Sequence, residues 1–207
     1  MNKRQLPTPR MQPLPESHTP ELKELFENSR KNNGFVANSV LIMQRKPKMV
    51  KGFAQMHAAV WDSEGEVEHG FKRLIGHMVS RAAGCQYCMA HNIGFALHKG
   101  VDEAKVAAIW EYNSSPLYSA AERVALDFAL AAGAVPNDVT DEMFAQMRQH
   151  WSENQIVEIV GVIAIFGFMN RWNDTFATPL EAEPVAVGEK FLASHGWDAV
   201  KHQRETA

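Results

Sequence analysis

Apolar residues recur every three or four positions along most of this chain, and that spacing restricts it to helices. Leu22, Leu25 and Phe26 open the pattern, and Phe71, Leu74, Ile75, Met78 and Val79 repeat it. No run of four to eight residues alternates apolar and polar between turn signals in a way that beats the helical period, so no sheet can be placed. The predicted fold is therefore all-α. Gly34, Pro47, Gly84, Gly100 and the Gly133/Pro136 pair punctuate it, while Thr19, Ser119 with Glu122, Thr140 and Ser152 supply helix starts. The stretch Ile156 to Met169 is apolar nearly all round, which calls for a central position or a subunit interface.

With 207 residues and 45% hydrophobic content the chain can bury a good core as one domain. Residues 1–19 form an arm in which Pro7, Pro9, Pro13 and Pro15 hold the backbone extended, against a neighbour or against the protein itself. Residues 20–180 carry the helices, and 181–207 form a looser extension with a last helical piece near Val187 to Ser194. A net charge of −3 offers no broad basic field, so neither nucleic acid nor membrane is expected as a partner. The most apolar segment is too short to span a bilayer, and no apolar signal core follows Lys3, Arg4 and Arg10, so a cytoplasmic protein is expected. The apolar helix and the arm together predict a homo-oligomer, from dimer to hexamer.

Both cysteines of the chain lie in Cys85-Gln86-Tyr87-Cys88. Their separation places two sulfurs on one helical face near a helix start, where they can form a reversible disulfide. A helix beginning at Cys85 after Gly84 would also favour a thiolate and lower its pKa. His91 extends the row Cys85, Cys88, His91 and could take a thiol proton or return one to a leaving group. Tyr87 turns away from this row, to donate its hydroxyl to substrate or to pack. Two blander readings stand beside the redox one: half of a zinc site, and a pair of buried core thiols. Arg73, His77 and Ser80 share a face of the preceding helix that is expected to look toward the cysteines. Glu66 and Glu68 suit the dipole of that helix's start. Asn170, Arg171, Asn173 and Asp174 suit a helix end with surface ion pairs, or an interface. The ten methionines follow helical spacing as core filler, so neither metal nor cofactor is expected.

The run Ser80-Arg81-Ala82-Ala83-Gly84-Cys85-Gln86-Tyr87-Cys88-Met89-Ala90-His91 resembles the signature of the alkylhydroperoxidase AhpD-like, or carboxymuconolactone decarboxylase, superfamily. Asn33 to Asn38, Arg45-Lys46-Pro47, Ala121-Glu122-Arg123 and Asn170 to Asp174 extend the resemblance over most of residues 20–180, to its peroxidase-related branch. It implies an AhpD-like helical bundle with the CxxC at the start of a central helix. It also implies a hydroperoxide reductase, re-reduced by a dithiol protein or small thiol, with Cys88 peroxidatic, Cys85 resolving and His91 in the proton relay. Where the family carries a glutamate this chain has Arg73, and where it carries a histidine four residues past the second cysteine this chain has Asn92. His77 is the expected replacement for the missing acid. The alternatives are a redox sensor, in which the disulfide alters an oligomer contact, and a non-redox decarboxylase of the same fold.

Overall fold

A computed structural model describes residues 9–203; the first eight residues of the arm, Pro7 among them, and the last four of the chain lie outside the described residues. Ten α-helices joined by short turns and 3₁₀ segments form the described chain, and no strand occurs among those residues. They are α1 (Lys23–Asn33), α2 (Asn38–Met43), α3 (Pro47–Val60), α4 (His69–Ala82), α5 (Gln86–His98), α6 (Glu103–Ala107), α7 (Ala120–Gly133), α8 (Asp141–His150), α9 (Glu153–Phe176) and α10 (Ala182–Phe191).

The bundle is built around α4, in which every residue from Gly70 to Ser80 is buried. It packs against α5, α7 and α9, and α10 closes over the far side of α5. Gly76 allows the closest of these approaches. A Cβ there would stand 2.5 Å from Phe166 Cε2 of α9 and 2.7 Å from Asn92 Oδ1 of α5, so no other residue fits without a shift. Lys72 is also buried within α4, where it meets Glu158 at 2.6 Å and donates to the Val60 carbonyl at 3.0 Å. Leu22, Phe26, Val36, Met43 and Val50 of the amino-terminal helices form a second, smaller core.

The helix starts agree with the sequence. Ser119/Glu122 and Ser152/Gln155 make reciprocal capping boxes, Thr140 caps α8, and the Glu68 carboxylate accepts from the amides of Gly70 and Phe71 at the start of α4. Thr19 is the exception: it leads into a 3₁₀ turn and gives its hydroxyl to the Gln44 carbonyl instead. The described part of the arm lies along the protein's own helices, with Arg10 N donating to Phe176 O and Leu14 N to Leu41 O.

Residues 181–203 are not the loose extension the sequence suggested. Pro184 falls in the first turn of α10, where a missing amide hydrogen costs nothing, and Phe191, Leu192 and Trp197 join the main core. Gly188 makes room for the Trp197 ring, whose Cζ2 and Cη2 would lie 2.4 Å from a Cβ there. The helix α9 runs longer than the apolar stretch, for 24 residues, to Ala177 in the left-handed conformation at φ +47. By length and composition α9 is apolar enough to cross a membrane, but its Ile156, Ile159, Val162, Ile163 and Phe166 are core residues here.

Replacing Gly76 with alanine is expected to lower stability by about 1–3 kcal/mol through overpacking, read as a lower urea midpoint at unchanged slope.

Candidate active site

The cysteine turn is made by backbone geometry before any side chain contributes. Gly84 adopts φ +70, a region that favours glycine, and this lets Cys85 N donate to Ser80 O at 2.9 Å. Cys85 then stands at the cap position of α5 with extended backbone, and Cys88 falls in the first helical turn. Both are buried free thiols, within hydrogen-bonding contact of one another. Burial, and then the neighbouring Cys85, push the Cys88 thiol well above its ordinary value, while a hydrogen bond from Asn173 works the other way. The sequence suggested a thiolate favoured by the helix start. For Cys88 desolvation outweighs that benefit, and the resting group is a thiol.

Other parts of the chain complete the surroundings. Asn173 of α9 donates its Nδ2 to Cys88 Sγ at 3.3 Å, and Asn92 donates to the Cys88 carbonyl at 2.9 Å. Asp174 and His202 converge on the other thiol: donor atoms of Cys85, Asp174 and His202 all lie within 4.8 Å of one another. His202 is buried, and its Nδ1 stands 2.8 Å from the Thr178 carbonyl, which can only accept. The hydrogen is therefore on Nδ1 in the neutral ring, and the Nε2 lone pair, which has no partner, remains free. Burial lowers the His202 pKa, against opposing effects of the Thr178 carbonyl and Asp174, so the neutral ring is favoured. Three ligands fall one short of a closed zinc site, and the Lys201 ammonium already sits 2.6 Å from Asp174.

His91 is held in a different network. Its Nδ1 lies 2.9 Å from the Tyr87 carbonyl and its Nε2 lies 2.9 Å from Glu181 Oε2, an ion-pair contact off the line of a straight hydrogen bond. The imidazole stacks on the Tyr87 ring at 4.1 Å. The Tyr87 hydroxyl donates to Glu181 Oε1, which also accepts from Asn38 N. Burial alone would raise the Glu181 carboxyl, but His91 and the amide donors together outweigh it and hold the group below the usual carboxylate range. The sequence placed His91 in a proton relay with the thiols. In the structure both of its ring nitrogens are engaged elsewhere, and neither bonds to a sulfur.

Cys88 and His91 line a cavity of about 660 Å³ together with Arg73, His57, Trp61 and Phe95. Arg73 and Cys88 thus share this cavity, whereas Ser80 and His77 are not among its lining residues. Ser80 spends its hydroxyl on Gly76 O at 2.7 Å, and His77 packs edge-on against Trp110 with Nδ1 3.3 Å from Met89 O. Both side chains are taken up inside the bundle, although the Ser80 carbonyl accepts from Cys85 N at the cysteine turn. A larger groove of about 1030 Å³ on α7 to α9 holds neither cysteine nor histidine.

The pattern of the carboxymuconolactone decarboxylase family matches residues 47–131. The debrominase Bmp8 is 34% identical over 87% of this chain and 97% of its own, with a TM-score of 0.82. The chain belongs to the carboxymuconolactone decarboxylase family. A cysteine-to-alanine variant of Bmp8, 33% identical to this chain, has been solved in complex with 2,3,4-tribromopyrrole. A protein of unknown function from Agrobacterium tumefaciens, named for the antioxidant defence protein AhpD, is 26% identical over 68% of this chain and 95% of its own, at a TM-score of 0.61. The uncharacterized protein YdfG of Bacillus subtilis is 26% identical over 55% of this chain and 76% of its own length.

Two further histidines are held neutral, the buried His77 and the partly buried His57. Burial, then the Arg73 charge, push His57 down to about 3. Burial pushes His77 down to about 4, with Met89 opposing and Arg81 adding to the effect. Unfolded, each ring takes a proton near pH 6.5, so the unfolded chain binds more protons in the acid range. Their contribution to stability is complete above pH 6.5 and is lost as pH falls toward 4. For His77 this amounts to on the order of 3 kcal/mol. Urea unfolding between pH 7 and pH 4 should show that loss, and His77→Gln should make the pH slope shallower.

Proposed function

We propose that this chain is a CxxC-dependent reductase of small organic electrophiles, with hydroperoxides as the first substrate class. The observation that carries the reading is the contact of two free thiols, one of which, Cys88, opens on the aromatic cavity while the other meets His202. Cys88 sulfur attacks one oxygen of the peroxide, the O–O bond breaks, and Cys88 becomes a sulfenic acid as the alcohol leaves with the thiol proton. Cys85 then attacks the Cys88 sulfur. The S–S bond forms, the S–O bond breaks, and hydroxide leaves as water. A dithiol reductant resets the pair.

His202 is assigned the proton of Cys85. A ring nitrogen of His202 lies within 4.8 Å of Cys85 Sγ, and the unpartnered Nε2 is the atom that takes the proton and passes it to the departing hydroxide. Asp174 stabilises the ring while it is charged. Asn173 supports the thiolate form of Cys88 by donating to its sulfur. His91 and Glu181 hold one another in place beside the cavity.

A second reading, reductive debromination, is favoured by the likeness to Bmp8 and by the aromatic cavity lining. The same dithiol would take bromine from an aromatic carbon that gains a proton, and Cys85 would then displace bromide from Cys88 sulfur. Four exposed residues of α3 and α9, Met56, Val157, Val160 and Phe168, support seating a second copy of the chain there.

Consumption of tert-butyl hydroperoxide with dithiothreitol is expected from the native chain and is expected to vanish in Cys88→Ser and Cys85→Ser, with sulfenic acid trapped at Cys88 in the latter. His202→Asn retains a donor toward Thr178 but lacks the Nε2 base, and should slow disulfide formation by about 10²–10⁴-fold. Intact thiols under peroxide, combined with bromide release from a bromopyrrole, would replace the first reading with the second. Neither activity would sink both. Light scattering should report an oligomer that Val160→Asp with Phe168→Asp converts to monomer; a native monomer at micromolar concentration would remove the assembly proposal.

A further inference from the structure

We infer that the cavity reaching Cys88 is a binding site for a planar organic anion, whose charged group is taken by Arg73 between Trp61 and Phe95. This names the substrate class of the proposed reductase; it rests on that reading for the ligand being a substrate, and not for its binding.

Arg73 is 5% exposed, yet among the described residues its guanidinium makes no ion pair and no hydrogen bond, and its Nε is buried without a partner. The two aromatic rings cover only part of what such a group needs. The guanidinium carbon lies 4.1 Å from the Trp61 centroid and 4.9 Å from that of Phe95, contacts made through the π-faces of the rings. The N–H edge, which binds carboxylates and other planar anions through paired hydrogen bonds, is left without an acceptor.

No anion inside the cavity compensates that charge. His57 is neutral, Asn92 and Asn173 are amides, and Glu181 is committed to His91. Asp62 and Lys99 are exposed, one of each sign, so their fields offset. Trp61 Nε1 is a second buried donor without a partner on the same wall. Phe53, Phe95 and Phe166 line the space and suit a flat apolar body attached to the anionic group. The field of Arg73 would also favour negative charge that develops on a ligand held against it.

The test is equilibrium binding to the reduced native protein, followed by tryptophan fluorescence at pH 7, of benzoate against its neutral isostere benzamide. Benzoate is expected to bind about tenfold or more tightly than benzamide, and added salt should weaken only benzoate. Arg73→Gln should erase the preference, while Arg73→Lys should keep part of it. Equal binding of the two probes, or binding of neither, would overturn the inference, as would a glutamine variant that retains the preference. Sodium bromide that displaces benzoate at equal concentration would overturn the planar class in favour of a simple halide site. If the glutamine variant does not fold, the native and lysine comparisons still decide. The same preference in Cys88→Ser, alongside failed turnover in the native chain, would remove the reductase reading and leave the anion site standing.

Discussion

The Glu181 carboxylate is the point on which the site's order depends. It accepts from the Asn38 amide of α2 and the Tyr87 hydroxyl of α5, and it faces His91 of α5 across an ion pair. Three parts of the chain far apart in sequence are thus joined through one buried charge. A buried carboxylate is costly unless donors and an opposing group offset its desolvation, and here Asn38, Tyr87 and His91 supply that offset together. Because Glu181 immediately precedes α10, its placement also directs the last residues, His202 included, back toward the cysteine turn.

Two forms of control over the thiols follow. Burial keeps Cys88 protonated at rest, the opposite of the pre-ionised thiolate that a helix start would provide. The polar groups set around the pair come from elements that follow the motif: Asn173 and Asp174 at the end of α9, and His202 beyond α10. The surroundings of the pair are therefore set by long-range packing more than by the local motif.

The fold class was legible in the sequence because a helical period, glycine stops and polar caps are local signals, and each of these elements forms near its predicted place. The cysteines and Arg73 were legible for the same reason, since a motif and a fixed offset along one helix are local too. What could not be read was convergence. Glu181 and His202 carry no motif, and the proline at 184 suggested a loosening where it only begins a helix. Asn173 and Asp174 looked like a surface cap, because nothing in their spacing shows that the other end of a 24-residue helix arrives at a sulfur. His77 and Ser80 erred in the other direction. They share a face with Arg73 by count, but α4 is buried on all sides, so being on one helix face does not select which neighbour that face meets.

The chain has two cores, and the cavity lies between them. The thiols belong to the larger one, built from α4, α5, α7 and α9, whereas Leu22, Phe26 and Val50 of the smaller one sit behind the opposite wall. Arg73 of α4 and Phe95 of α5 stand on the same helices as the thiol site, so the smaller core supplies only part of the cavity lining. Change at Phe26 or Val50 can therefore reshape one side of the cavity without altering a residue that contacts either sulfur.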